Sequence, residues 1–190
     1  MIGLRGVTVR YGERVALDRV DIDLFPGRVT AVVGPNGCGK TTLARVLLGL
    51  TVPQEGRVLG VAGLRRAAVF QEDRLCEQLG AVANVRLVAR RGAPEAAVLL
   101  REVGLTDADL ARPVRELSGG QRRRVAIARA LGADAALLVL DEPLTALDVE
   151  GRALVVRVLR ERGGDRTTLL ITHDAADVEH LDARVVALPA

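Results

Sequence analysis

Short apolar runs alternate along this chain with longer segments of mixed polarity. Residues 28–33 are mostly apolar and residues 136–140 entirely aliphatic, which is typical of strands buried on both faces of a sheet. Residues 56–63 begin and end with glycine and predict a β-hairpin arm. Further strands are predicted at residues 2–10, 20–25, 67–70, 168–172 and 184–188.

Helices are predicted between these strands, at residues 40–49, 118–131 and 150–162. Gly49 supplies a C-terminal stop for the first helix, and Ser118 is a good N-cap for the second. Because strands alternate with helices, the pattern predicts an α/β fold with a mainly parallel sheet and an antiparallel β arm.

A more helical and charged segment interrupts the alternation. It runs from about residue 72 to about residue 115, with breaks at Gly92, Gly104 and Pro113. We interpret it as a helical subdomain inserted into the α/β core. The prediction for residues 1–190 is therefore one domain, with a core at about 1–71 and 125–190 and a helical subdomain at about 72–124.

The composition favours an aliphatic core in a cytosolic protein. Hydrophobic residues make up 49% of the chain and aromatic residues only 2%. No apolar run approaches the roughly 20 residues that span a bilayer, so a membrane span is not expected. Arg5 and Arg10 interrupt the opening segment, which argues against a signal peptide. We expect no regulatory domain after Ala190.

The charge and the cysteines indicate no special partner. The net charge is +3, but the arginines are scattered and mostly lie near acids, so we attribute them to a compositional preference and expect no nucleic-acid partner. Cys38 and Cys76 fit neither a disulfide framework nor a metal site and are expected to be reduced thiols. His180 is expected at the surface or at a helix end.

A glycine-rich loop between the strand at 28–33 and the helix at 40–49 predicts phosphate binding. It matches the pattern G-x-x-x-x-G-K-[ST], in which glycines let backbone N–H groups converge on phosphates at a helix N-terminus. Lys40 is expected to reach the β- and γ-phosphates of ATP, and Thr41 to bind Mg²⁺. The predicted nucleotide-binding residues of this loop are Gly34, Pro35, Asn36, Gly37, Cys38, Gly39, Lys40, Thr41 and Thr42.

Two carboxylates end the apolar strand at 136–140. Asp141 and Glu142 stand at the carboxyl end of a central strand, where ligands of open α/β sheets bind. We predict that Asp141 holds Mg²⁺ and that Glu142 is the general base that polarises the attacking water.

At the start of the helix at 118–131, the sequence resembles a known family. Leu117-Ser118-Gly119-Gly120-Gln121 matches the signature motif of ATP-binding cassette (ABC) ATPases, which have a P-loop NTPase fold. The resemblance covers essentially the whole chain. Lys40, Ser118 and Tyr11 are the chain's single lysine, serine and tyrosine, and each falls on a family site.

The resemblance implies roles for further residues. Tyr11 matches the aromatic residue that stacks on adenine. Gln71 matches the glutamine that senses Mg²⁺ and the γ-phosphate, and His173 the switch histidine. Ala146-Leu147-Asp148 matches the loop that crosses the dimer interface in that family. Ser118, Gly119, Gly120 and Gln121 would contact ATP held by a second subunit, so that two ATP molecules lie between two chains.

The same resemblance suggests a transport function. It implies a peripheral subunit on the inner face of the cell membrane, bound to separate permease subunits through the region after Gln71, with a solute-binding protein in the complex. Residues 69–75 and 82–85 are similar to importer ATPases of the nitrate, sulfonate and taurine group. The alternatives are an exporter ATPase and a soluble ABC ATPase acting on DNA or ribosomes. The signature motif discounts a P-loop kinase or GTPase.

Overall fold

A parallel and an antiparallel sheet carry the α/β part of the chain. The computed structural model describes residues 1–89 and 92–188. The strands are β1 (Ile2–Tyr11), β2 (Arg14–Leu24), β3 (Val29–Val33), β4 (Glu55–Leu59), β5 (Arg66–Val69), β6 (Leu137–Asp141), β7 (Thr167–Ile171) and β8 (Arg184–Ala187). The helices are α1 (Lys40–Leu48), α2 (Ala81–Arg86), α3 (Ala93–Glu102), α4 (Asp107–Leu110), α5 (Gly119–Gly132), α6 (Val149–Gly163) and α7 (Ala175–His180).

The parallel sheet has the strand order β5-β6-β7-β3-β8. Strand β3 pairs in parallel with β7 and β8, and β6 pairs in parallel with β7. Every residue of β6 and β7 is buried, as the aliphatic runs predicted. Since parallel strands end at the same edge, this sheet brings the residues that follow β3, β6 and β7 to one edge.

The antiparallel sheet confirms the predicted β arm but corrects its pairing. Its order is β2-β1-β4, so residues 56–63 do not form a hairpin with themselves. Only Glu55–Leu59 is a strand there, and it pairs with β1. Strand β2 begins at Arg14 rather than at residue 20, because its first half lies on an exposed edge where charged residues hide the alternation.

The chain divides into two units. The first, here called the core unit, comprises Met1–Ala68, Ala136–Glu142 and Asp165–Ala190. Its interior is a cluster of aliphatic side chains from both sheets and α1, including the fully buried Leu4, Leu43 and Leu169. The second, here called the helical unit, comprises Val69–Ala135 and Pro143–Gly164, and in it α2 and α3 pack against α5.

Two helix predictions need correction. The segment from residue 72 is not helical until α2 begins at Ala81, because the backbone at Cys76, Leu79 and Gly80 hydrogen-bonds to the buried amide of Asn84 instead. Helix α7 was not predicted, since its six residues are too few to show a helical period. The helices α1, α5 and α6 begin and end within one residue of their predicted bounds.

Arg90, Arg91, Pro189 and Ala190, which belong to the predicted helical subdomain and to the end of the predicted core, lie outside the described residues. Within residues 1–89 and 92–188, no helix combines the length and the apolar character that crossing a bilayer requires. His180 is exposed at the last position of α7, as predicted.

Candidate functional site

The phosphate loop, residues 34–41, connects β3 to α1, and glycine is required at its last bend. Gly39 has φ 98°, and a Cβ there would lie 2.1 Å from the carbonyl oxygen of Ala16. A Cβ on Gly34 would lie 2.8 Å from the carbonyl oxygen of Leu188. Among the described residues, no side chain caps α1, so its first N–H groups face the loop as an anion site.

Lys40 lies across this loop. Its Nζ donates hydrogen bonds to the carbonyl oxygens of Gly34 at 2.8 Å and Pro35 at 2.9 Å. The Sγ of Cys38 lies 4.0 Å from the same ammonium, and Cys38 is half-buried. The chain's single lysine is therefore held inside the loop, where its positive charge adds to that of the helix N-terminus.

Thr41 and Asp141 meet at the end of the parallel sheet. The Thr41 hydroxyl donates to Asp141 Oδ2 across 3.4 Å, joining the first turn of α1 to the last residue of β6. Asp141 is only 6% exposed, whereas Thr41 is exposed. These are two oxygen ligands of the kind that Mg²⁺ accepts, one of them charged.

Glu142 and His173 form a hydrogen-bonded pair beside them. Asp141 and Ile171 are register partners in β6 and β7, so the residues that follow these strands lie at the same edge. The Glu142 N–H donates to the Ile171 carbonyl oxygen at 2.9 Å, and Glu142 Oε1 lies 2.8 Å from His173 Nδ1. Glu142 has φ 51°, a conformation that non-glycine residues rarely adopt and that costs about 1–3 kcal/mol.

The Glu142 carboxylate also favours the protonated form of His173. The hydrogen bond that the Glu142 carboxylate accepts from His173, and then its negative charge, raise the pKa of His173 above the usual 6.5, with Asp174 and Asp177 acting in the same direction. The His173 side chain is 77% exposed and the Glu142 side chain only 17%, so the carboxylate is the more buried of the two groups.

A small network that the sequence analysis missed fixes the turn carrying His173. The Thr172 hydroxyl donates to the buried Asp177 carboxylate at 2.7 Å and accepts from the Asp174 N–H at 3.1 Å. The Asp174 side chain caps α7 by accepting from the Ala176 N–H. The sequence did offer a signal for this network: Asp174 is a residue type that often caps a helix, and a second acid, Asp177, follows three positions later.

The hairpin end of the antiparallel sheet is bound to the phosphate loop. Tyr11 ends β1 with 49% of its surface exposed, as a stacking platform for adenine requires. Its register partner Arg14 donates through Nη2 to the Gly37 carbonyl oxygen at 3.1 Å. Arg14 was not predicted, because no motif distinguishes it from the other exposed arginines of this chain.

The signature segment, residues 117–121, forms a capping box at the start of α5 in the helical unit. Gln121 N–H donates to Ser118 Oγ at 3.2 Å, and Ser118 N–H donates to Gln121 Oε1 at 2.8 Å. A Cβ on Gly119 would meet no atom within 4 Å. The space over Gly119 at the start of α5 is therefore unobstructed.

Asp109 supports this capping box from α4. Its Oδ1 accepts from Gln121 Nε2 at 2.7 Å, and its Oδ2 accepts from the N–H and hydroxyl of Thr106. Burial acts to raise the pKa of Asp109, but the Thr106 hydrogen bonds and the charges of Arg124 and Arg112 outweigh it, so this pKa lies below its usual value. Asp109 was also missed by the sequence analysis.

Gln71 and Asp148 are the remaining predicted residues, and both belong to the helical unit and are exposed. The backbone carbonyl of Gln71 accepts from Arg123 Nη1 at 3.4 Å. Asp148 caps α6 by accepting from the Gly151 N–H at 2.8 Å. Ala146, in the turn before Asp148, has φ 65°, and its carbonyl oxygen would lie 3.1 Å from a Cβ on Gly120.

The predicted site residues therefore form two groups. The core unit gathers Tyr11, the phosphate loop, Asp141, Glu142 and His173, whereas the helical unit carries Gln71, the signature segment and Asp148. Within the core unit the arrangement provides an anion site, paired oxygen ligands and a carboxylate with a histidine partner. Such a group can bind a phosphate ester and activate water against it.

Comparisons with known proteins agree with this reading. Residues 17–145 match the ABC transporter family. The chain is 41% identical, over 98% of its length, to the aliphatic sulfonates import ATP-binding protein SsuB 3 of Paraburkholderia xenovorans, of which it covers 76%. It is 41% identical to SsuB 2 of Pseudomonas aeruginosa and 40% to SsuB 1 of Burkholderia cenocepacia, covering 71% and 60% of them. The chain thus spans less than two thirds of the length of one of these relatives, SsuB 1 of Burkholderia cenocepacia.

Solved structures give the same result for the fold. The dimeric structure of MJ0796, a bacterial ABC transporter cassette, superposes with a TM-score of 0.86 at 28% identity, covering 100% of this chain and 94% of that one. A post-hydrolysis state of the same cassette bound to ADP and Pi gives a TM-score of 0.84 at 27% identity, covering 99% and 94%. The predicted P-loop NTPase fold is confirmed.

Proposed function

This chain belongs to the ABC transporter family as an ATP-hydrolysing subunit, and from that premise we propose that it drives the import of a small organic anion. The observation that carries the proposal is the identity of 40–41% over 98% of the chain with ATP-binding proteins named for aliphatic sulfonate import. An aliphatic sulfonate is therefore the proposed substrate class, and separate permease subunits are the proposed membrane partners.

The proposed hydrolysis uses the residues gathered in the core unit. Lys40 and the first N–H groups of α1 hold the β- and γ-phosphates, and Tyr11 stacks on adenine. Glu142 accepts a proton from water while the water oxygen bonds to the γ-phosphorus. The bond between that phosphorus and the bridging oxygen breaks, which releases ADP and phosphate. His173, hydrogen-bonded to Glu142 at 2.8 Å, keeps the carboxylate oriented.

Thr41 and Asp141 fit a bound Mg²⁺. Their oxygens lie 3.4 Å apart at the start of α1, beside the loop proposed to hold the phosphates. A Mg²⁺ ion usually takes only one or two protein oxygens and completes its shell with water and phosphate oxygens, so this pair suffices. When bound, the ion would neutralise charge on the β- and γ-phosphates. We assign Gln71 as a further ligand by resemblance.

We further propose that two copies of this chain close around two ATP molecules. The phosphate loop and the signature segment each lie at a helix N-terminus, where backbone N–H groups favour an anion, and they belong to different units of the chain. The MJ0796 cassette with the same fold is described as dimeric. A dimer in which each signature segment contacts the ATP of the other copy would use both sites. The proposed position is peripheral, on the cytoplasmic face of the cell membrane.

Uptake measurements in the source organism test the import proposal. Deleting the gene should abolish uptake of a labelled alkanesulfonate such as taurine, and the wild-type gene should restore it. A copy with Glu142→Gln should not restore uptake, because the proposed general base is absent. Unchanged sulfonate uptake after deletion would exclude this substrate class. Copurification of ribosomes or DNA in place of a membrane protein would exclude import altogether.

A further inference from the structure

A buried arginine on α5 holds the segment that carries Gln71. Arg123 is 3% exposed and donates to three backbone or side-chain groups of residues 70–73. Its Nη1 donates to the Phe70 carbonyl, to Asp73 Oδ1 at 3.1 Å and, more weakly, to the Gln71 carbonyl at 3.4 Å. A buried guanidinium needs such acceptors, since an unpaired charge in the interior is costly.

The same side chain binds a second functional segment. Arg123 Nε donates to the Pro143 carbonyl oxygen at 3.0 Å, and Pro143 directly follows Glu142. Because the guanidinium is planar and rigid, its Nε and Nη1 contacts cannot move independently. One side chain thus attaches the carbonyl groups of Phe70, Gln71 and Pro143 and the carboxylate of Asp73 to one helix.

Arg129, six positions further along α5, also attaches the segment at residues 70–74 to this helix. It donates to the carbonyl oxygens of Asp73 at 2.9 Å and Arg74 at 2.7 Å. Arg74 has φ 46°, and its guanidinium lies 4.5 Å from the centre of the Phe70 ring. Gln71 and Glu72 therefore lie in a bend that is attached to α5, and the unfavourable backbone conformation of Arg74 is maintained by the same attachment.

We propose that Arg123, together with Asp73, is a positioning residue that fixes Gln71 relative to the signature segment at the head of α5. About one and a half turns of α5, from Ser118 to Arg123, then connect the site expected to contact ATP in a second copy with the segment that carries Gln71, the residue expected to sense the γ-phosphate. A rigid helix with a fixed side-chain attachment can carry a displacement from one end to the other. The inference rests on the role proposed above for Gln71.

Hydrogen exchange and steady-state kinetics of Arg123→Gln test this proposal on the full chain. Amides of residues 71–75 should exchange about tenfold faster, while those of α3 keep their protection, because only the attachment is lost. The kcat for ATP should fall about tenfold with KM changed less than about twofold, since the phosphate loop is intact. Asp73→Asn, at a side chain 23% exposed, should act in the same direction and keeps the test open if Arg123→Gln does not fold.

Arg101→Gln is the matched control, because it removes an arginine of the same unit whose ion pair with Asp107 is half-exposed. It should leave kcat and the amide exchange of residues 71–75 unchanged. The kcat and the exchange rates of Arg123→Lys should lie between those of Arg123→Gln and those of the wild type. Unchanged exchange at 71–75 in both Arg123→Gln and Asp73→Asn would overturn the proposal, as would faster exchange with normal kcat. Gln71→Ala tests the role of Gln71 separately: a normal kcat there would refute that role only.

Discussion

At the scale of single residues, the ammonium of Lys40 lies on backbone carbonyl oxygens of the phosphate loop. Lys40 binds two backbone carbonyls of its own loop, and carbonyl oxygens offer dipoles rather than a full opposite charge. Its ammonium can therefore exchange these contacts for phosphate oxygens at little electrostatic cost.

Lys40→Ala should reduce ATP turnover by at least about 100-fold, because one preorganised charge on the transferred phosphate is lost. Steady-state phosphate release measures this directly. Arg45→Ala is the control, since Arg45 is an exposed cation on the same helix and belongs to no predicted site. Turnover at the wild-type rate in Lys40→Ala would refute the role of this lysine.

The Glu142–His173 pair predicts a specific pH dependence. Because Glu142 raises the pKa of His173 above 6.5, the pair stabilises the fold fully below that value, and the contribution is lost as pH rises through the higher folded pKa. In Glu142→Gln the pKa of His173 should fall.

An NMR titration of His173 checks this, with His180→Gln in the background of both proteins so that one imidazole remains of the two in the chain. The stability difference between wild type and Glu142→Gln should be larger at about pH 6 than at about pH 8.5. A pKa of His173 that is the same with glutamate and with glutamine would show that the two side chains do not interact in solution.

At the scale of elements, a hydrogen bond connects the capping box of α4 to the capping box of α5. Thr106 and Asp109 cap α4, Ser118 and Gln121 cap α5, and the hydrogen bond from Gln121 to Asp109 connects them. The start of α5 is thus fixed by a reciprocal pair of hydrogen bonds between Ser118 and Gln121 and by one further bond from Gln121 to the buried carboxylate of Asp109.

Asp109→Ala should lower the free energy of unfolding by about 2–3 kcal/mol at pH 7, because it leaves charge-assisted hydrogen bonds unmade. Asp107→Ala, two positions earlier at a side chain 80% exposed, should cost less than about 1 kcal/mol. Since the pKa of Asp109 is lowered from 3.8, its contribution is present above that pH and is lost as the pH falls through the lower folded pKa. Equal losses for both variants in urea unfolding would contradict this arrangement.

Local patterns were predictable from the sequence, and long-range pairings were not. The phosphate loop, the Ser118 cap and the buried β6 depend on residues adjacent in sequence, and each was predicted at the right place. The pairing of β4 with β1, by contrast, depends on residues some fifty positions apart. Arg123 and Asp109 were missed for the same reason, because only the folded chain brings their acceptors to them.

At the scale of the whole molecule, the account depends on two anion sites that one chain carries on separate units. The phosphate loop belongs to the core unit and the signature segment to the helical unit. At the signature segment, a Cβ on Gly119 would meet no atom within 4 Å. A second copy of the chain explains why both sites exist.

The mass of Glu142→Gln in solution with saturating ATP and Mg²⁺, measured by light scattering, tests this most directly. The account predicts about twice the 20.2 kDa of one chain with ATP and a single chain without it. Gly119→Arg in the same background should abolish the dimer, whereas Gly163→Arg, at an equally open helical glycine, should not. A Glu142→Gln protein that binds ATP and remains a monomer would contradict the account. A dimer that still forms when Gly119→Arg is added would contradict it as well.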